Sequence, residues 1–237
     1  MLNDIKVMRN LIIGWVIVIF IFFFFFFAFP LDNSFSSLIF KRMEADLVPE
    51  GVSLIVLNPW SAFFANVLVA FGLSLITSFP FILYTFLWYI LPALRIKERR
   101  EFFKFLFPAI LLFIGGCVFA YKALIPPMFK ILYGYAPGIG AETFFSVDEF
   151  INFTFIILFV VGFVFLLPIF MVFLSKFGLI EAKTWREEWR WALLIFLFLS
   201  ALITPDGSGV SMVILSVPLF GLYMSGAFFA RRAEKKP

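Results

Sequence analysis

The sequence predicts an all-α membrane protein. Six transmembrane helices belong to one domain covering residues 1–237, in a cupped arrangement with both termini in the cytoplasm. Three observations predict it. Of 237 residues, 63% are apolar and 22% aromatic, with 39 phenylalanines, more than a water-soluble core of this size requires. The apolar residues gather into stretches of the length a helix needs to cross hydrocarbon, about 20 residues. The charges between those stretches alternate. Fifteen of nineteen basic residues fall in every second gap: Lys6 and Arg9, residues 95–104, residues 176–190, and the tail from Arg231 to Lys236. The other gaps hold Lys41, Arg42, Lys122 and Lys130, and take eight of the fifteen acidic residues. Cationic loops resist translocation, so the basic gaps face the cytoplasm.

Span one is residues 11–29, a run of phenylalanines without a helical face, as suits a segment surrounded by lipid. The run is too long for a signal-peptide core and no small-x-small cleavage site follows it, so it reads as a retained span. A first outer loop follows, and residues 35–47 within it read as a short helix on the surface. Span two, residues 62–91, contains Pro80 and is too short for two crossings, which predicts one kinked or tilted helix ended by Pro92. Span three, residues 102–124, is expected to close at Pro126-Pro127. A second outer loop turns at Pro137-Gly138-Ile139-Gly140, and Ser146 with Glu149 three residues on reads as a helix start. Span four is residues 151–175, with Pro168 inside.

The gap before span five carries Trp185, Trp189 and Trp191, an interfacial aromatic belt. Span five has only twelve strongly apolar residues, 192–203, roughly 18 Å of helix against a core of about 30 Å. It therefore predicts local bilayer thinning or polar flanks drawn below the headgroups. The turn 204–209 leads into span six, residues 210–230, with Pro218 inside. Together Pro80, Pro92, Pro108, Pro168 and Pro218 would curve the helices around a concave side.

Composition excludes several functions. The net charge of +4 gathers at span ends, which reads as orientation and contact with the lipid bilayer, with no nucleic-acid surface. Cys117 is the only cysteine and there is no histidine, so neither a thiolate cluster nor a zinc site of the usual type is expected. No Asp, Glu, Lys or Arg lies deep in a span; the polar exceptions are Asn66, Ser74, Thr77, Ser78, Thr85, Asn152, Thr154 and Ser200. Ion-coupled pumps need charge at depth, and an intramembrane protease needs catalytic groups this chain lacks. No enzyme, cofactor or metal is expected. Asn66 reads as an interhelical hydrogen bond, and the pairs Gly115-Gly116 and Gly221 to Gly226 as close helix contacts. The densest charge cluster, Arg95 to Glu101, reads either as a solvated loop enforcing topology or as an acidic site. In the second reading Glu98 and Glu101 would take an arginine guanidinium in a bidentate fork.

Residues 82–94, Ile-Leu-Tyr-Thr-Phe-Leu-Trp-Tyr-Ile-Leu-Pro-Ala-Leu, followed by Glu98-Arg99-Arg100, resemble the second span and first cytoplasmic loop of the TatC family of twin-arginine translocase receptors. The likeness continues in order through Phe119-Ala120-Tyr121, Pro126-Pro127, Ser146 to Phe150, Ile203-Thr204-Pro205-Asp206 and Val217-Pro218-Leu219. It implies a cupped six-helix receptor in the inner (cytoplasmic) membrane that binds twin-arginine signal peptides of folded precursor proteins. It also implies recruitment of single-span TatA- and TatB-type subunits, transport driven by the proton-motive force, and admits a homo-oligomer within the translocase complex. By the resemblance Glu98 matches the loop glutamate implicated in reading the arginine pair, with Arg99 beside it, and Asp4 matches the acidic residue of the N-terminal recognition segment. Pro92 and Leu94 match structural residues of the loop, and Pro205-Asp206 the last outer turn.

Three departures stand out. The family's fourth-span pattern Phe-Gly-x-x-Phe-Glu-x-Pro reads Val161-Gly162-Phe163-Val164-Phe165-Leu166-Leu167-Pro168 here, so Leu166 replaces a carboxylate. The family's opening survives only as Leu2-Asn3-Asp4-Ile5-Lys6 and Arg9, and its sixth-span Tyr/Phe-Glu pair appears as Tyr223-Met224. If the concave side admits water, a carboxylate restored at Leu166 would be tolerated. The alternative function is a small-solute transporter or channel subunit, which predicts polar groups at mid-membrane and inverted repeats; the halves show no convincing repeat.

Overall fold

A computed structural model describes residues 2–29, 34–49, 51–58, 60–90, 96–134, 144–204 and 209–234, with the side chains of 2–5, 87, 90 and 96–104 excluded. Backbone N–H and C=O groups find no water in hydrocarbon, so apolar stretches of this length bond internally as helices. Five described stretches are long and apolar enough to cross a membrane: Lys6–Ala28, Ser61–Phe86, Phe105–Gly134, Val147–Lys176 and Val210–Ala233. A sixth apolar helix, Trp189–Ile203, has 15 residues, about 22 Å at 1.5 Å per residue. That is longer than the twelve-residue apolar run and still short of the hydrocarbon thickness.

The chain packs as two compact units. The first comprises Met1–Val48, Val52–Ile110 and Phe144–Phe155. It contains α1 (Leu2–Ala28), α2 (Phe35–Leu47), β1 (Ser53–Ile55), α3 (Ser61–Ile90), the start of α4 (Ile96–Phe119), β2 (Phe144–Ser146) and the start of α6 (Val147–Val164). α1 lies against α3. Its phenylalanines stack on one another one turn apart, Phe23 on Phe27 at 5.6 Å, and leave faces such as Phe24, 60% exposed, for lipid. α2 has the expected bounds, capped by Ser34, whose Oγ accepts from the Ser37 N–H at 3.4 Å. It is less superficial than expected, because Ser36, Met43 and Leu47 are buried and Phe40 meets Phe150 edge-on at 6.4 Å. β1 and β2 pair in parallel, Ser53 opposite Phe144 and Ile55 opposite Ser146. This pairing was not foreseen: three-residue strands carry too little alternation to be told from loop. Ser146 immediately precedes α6, as its reading as a helix start requires.

The second unit comprises Pro49–Gly51, Leu111–Thr143 and Ile156–Pro237. It holds the rest of α4, a π-helical segment Ala120–Leu124, α5 (Ile125–Gly134), the end of α6, α7 (Leu167–Lys176), α8 (Ala182–Glu187), α9 (Trp189–Ile203) and α10 (Val210–Ala233). The helix does not stop at Pro126-Pro127 as expected; it continues through them to Gly134. The Ile125 N–H reaches the Ala120 carbonyl, a five-residue step, and this wider turn lets the prolines take early positions of α5, where a missing N–H costs little. Pro168 acts similarly between α6 and α7. The Leu166 N–H turns back to the Phe163 carbonyl at 3.0 Å, and Pro168 sits in the first turn of α7. Pro80, by contrast, stays inside an unbroken α3.

Close approach in the second unit depends on glycines. A Cβ on Gly226 would lie 2.9 Å from the Pro168 Cα and 2.8 Å from the Met171 Sδ, so α10 and α7 pack backbone against backbone. Gly116 approaches Gly162 in the same way, at 2.9 Å to its Cα. The neighbours Gly115 and Gly221 have nothing within 4 Å, so one glycine of each expected pair makes the contact.

Candidate functional site

Asp4 and Glu98 are 94 positions apart in sequence, and the helix packing of the first unit brings their segments to one end. Phe27, near the end of α1, meets Phe63, near the start of α3, with rings 6.0 Å apart. Trp15, earlier in α1, donates its Nε1–H to the Thr85 Oγ1, late in α3, at 2.6 Å. The two helices therefore run antiparallel, and the start of α1, carrying Asp4, lies at the end where α3 finishes. α4 begins six residues after Ile90, a separation that spans at most roughly 20 Å. Its first turn carries Glu98 and Arg99, and Glu101 follows one turn on.

Helical geometry sorts the charges of that turn. At roughly 100° per residue, positions 98 and 101 fall within about 60° of each other, but 97 falls about 40° and 104 about 60° from 101, while 99 and 100 lie about 100° and 160° from 98. Position 98 lies about 100° or more from positions 97, 99, 100 and 104, so a carboxylate there could receive a guanidinium, whereas position 101 has lysine positions beside it. Pro92, Leu94, Pro205 and Asp206 lie outside the described residues, and the side chains of Asp4, Glu98 and Arg99 are likewise not described.

Leu166, the altered family position, lies at the α6–α7 break and is 4% exposed. A carboxylate there would be enclosed, so the expectation that this position opens to water gives way to burial among apolar groups. Tyr223 is also buried, and its hydroxyl donates to the Trp185 carbonyl. The Trp185 Nε1–H in turn donates to the Ser175 Oγ at 2.9 Å. Of the expected aromatic belt, Trp185 is thus partly drawn inward while Trp191 stays exposed. Beside them a cavity of about 370 Å³ is lined by Met171, Trp185, Trp191, Phe196 and Tyr223, with Glu188 at its edge.

Asn66 does not bridge helices as expected; its Nδ2 donates to the Ala62 carbonyl of its own helix at 3.3 Å. Ser74 and Thr154 likewise bond carbonyls of their own helices. In the first unit a polar contact between helices is Trp15–Thr85. Sequence reading missed it because Trp15 stands in a uniformly apolar run, although an indole N–H in such a run always needs an acceptor. Among the described residues, no group of three or more His, Cys, Asp or Glu is arranged to hold a metal.

The profile of the family described as Sec-independent protein translocase protein (TatC) matches residues 5–218. The chain belongs to the TatC family. It is 39% identical over 207 residues to the TatC protein of Cenarchaeum symbiosum, covering 87% of this chain and 78% of that one. It is 32% identical to the chloroplastic TATC of Pisum sativum, covering 85% of this chain and 57% of the longer plant protein. The crystal structure of the twin arginine translocase receptor TatC superposes with a TM-score of 0.78 at 29% identity, covering 97% of this chain and 99% of that one. TatC membership makes the chain a multi-pass membrane component of the Sec-independent protein translocase, not an enzyme. Its interactions are with translocated proteins and other Tat subunits.

Proposed function

We propose that this TatC chain is the receptor that reads twin-arginine signal peptides on folded precursors. The observation that carries the reading is the antiparallel pairing of α1 with α3, fixed by Trp15–Thr85 and Phe27–Phe63, which supports Asp4 and Glu98 acting at one surface. Arginine presents a planar fork that matches a carboxylate bidentately, whereas lysine is a point charge. A surface built on Glu98, with Glu101 one turn on and Asp4 nearby, therefore discriminates the two. By the family likeness Arg99 acts beside Glu98, Pro92 and Leu94 are structural residues of the same segment, and Pro205-Asp206 belong to the last outer turn.

The reading further holds that the chain crosses the inner cell membrane six times as one domain, with α9 as a short fifth span and both termini in the cytoplasm. The charge asymmetry supports that orientation. TatA- and TatB-type subunits complete the pathway and the proton-motive force drives it, a reading supported by the lack of Asp, Glu, Lys or Arg deep in the spans read from sequence. The test is peptide binding to the purified protein in detergent. A twin-arginine signal peptide should bind at least tenfold tighter than its twin-lysine form, and Glu98→Ala should remove that preference. Equal binding of the two peptides to the unaltered chain would overturn the reading.

A further inference from the structure

A second charged site lies in the other unit. α8 and the last turns of α10 enclose a cavity of about 650 Å³ lined by Lys183, Arg186, Arg231 and Glu234 at one end and by Met224, Ala227 and Phe228 at the other. The Ala182 N–H donates to the Glu234 Oε1 at 3.2 Å and ties the two elements together. That bond also occupies the one carboxylate lining the cavity. Lys183 is held by Glu187 one turn on at 3.3 Å, whereas neither Arg186 nor Arg231 has a carboxylate partner among the described residues.

The cavity is amphiphilic along a definite direction. From Arg231 back to Met224 is seven residues of α10, about 10 Å or two turns, so the cationic rim grades into an apolar wall toward the middle of the span. Met224 and Phe228 are both exposed on that wall. A free inorganic anion would use only the rim. A phospholipid uses both ends: a phosphate oxygen pair matches an arginine fork, and acyl carbons match methionine and phenylalanine side chains. Basic pockets at the ends of membrane helices are suited to anionic headgroups.

We propose that this cavity seats one anionic phospholipid, its phosphate held between Arg186 and Arg231 with Lys183 as a third cation, and an acyl chain laid along Met224, Ala227 and Phe228. The site is independent of the signal-peptide reading.

The experiment is native mass spectrometry of the delipidated full chain in micelles, titrated with dioleoyl phosphatidylglycerol, dioleoyl phosphatidylcholine or inorganic phosphate. The first phosphatidylglycerol should bind at least tenfold tighter than phosphatidylcholine, and millimolar phosphate should not displace it. Arg186→Gln with Arg231→Gln should weaken that binding by about 10- to 30-fold. The charge-matched control Arg190→Gln with Arg232→Gln should change it by less than about twofold, because those guanidinia lie over the Trp189 and Phe228 rings and do not line the cavity. Arg186→Lys with Arg231→Lys keeps the charge and loses the fork, so its affinity should fall between those of the starting chain and the glutamine pair, which separates lost recognition from lost folding. Equal weakening by the two glutamine pairs would mean diffuse attraction and overturn the site. Binding of both lipids alike, displacement by phosphate, or a lysine pair as weak as the glutamine pair would each overturn it too.

Discussion

α1 against α3 and α7 against α10 are both helix pairs within apolar sequence, but they are held by different means. In the first, the side chains that meet are large and aromatic, such as Phe27 on Phe63, and a polar contact, Trp15 to Thr85, sets how the helices meet. In the second, Gly226 lets the backbone of α10 come down on Pro168 and Met171. Lipid supplies no hydrophobic drive between helices, so a pair must find either close packing or a hydrogen bond. This protein uses one device in each place. A polar pin fixes register and leaves most of α1 facing lipid, whereas a glycine contact buries surface on both partners and tolerates no added atoms.

The largest expected effect is at the glycine contact. Gly226→Leu places a branched side chain where even a Cβ meets the Pro168 backbone, and should destabilise the detergent-solubilised protein by about 3 kcal/mol, read as a fall in the midpoint of thermal unfolding. If the midpoint holds, α7 and α10 are not in backbone contact. A smaller effect is expected at the pin. Trp15→Phe keeps an aromatic ring and loses the indole N–H, and should cost about 0.6 to 1 kcal/mol, read as a smaller fall in the same midpoint. The smallest is at Gly14, where a Cβ would meet nothing within 4 Å. Gly14→Leu should leave stability within about 0.5 kcal/mol of the starting protein. A loss there as large as at Gly226 would erase the distinction between the two pairs.

Much of the helical layout was legible in the sequence because hydrocarbon leaves a long apolar run one solution. α2 was read to its ends as a short helix within a loop of mixed character. What was misread turned on hydrogen-bond geometry that residue types do not carry. Pro126-Pro127 looks like a stop signal, and only the widened turn at Ala120–Leu124 makes it a passage. Asn66 looks like interhelical glue, but the Ala62 carbonyl one turn back was the nearer acceptor.

The candidate surface divides the same way. Glu98 was legible from its charge cluster and its family likeness. That the start of α1 shares its end of the unit depends on an antiparallel pairing that no local pattern encodes. A carboxylate at Leu166 was expected to be tolerated because the concave side was expected to admit water. The burial of Leu166 instead follows from packing at the break between α6 and α7.

The parallel pairing of Ser53–Ile55 with Phe144–Ser146 joins residues about 90 positions apart. A ribosome adding roughly 5–20 residues per second needs on the order of 5–20 seconds to make the later strand once the earlier one exists. Throughout that interval the first strand has no edge to join, and α2, which packs beside Phe150 through Phe40, waits with it. Biogenesis of this protein therefore includes a period in which the segment after the first helix stands without its partner, open to proteases or chaperones, until the later strand is made and closes it.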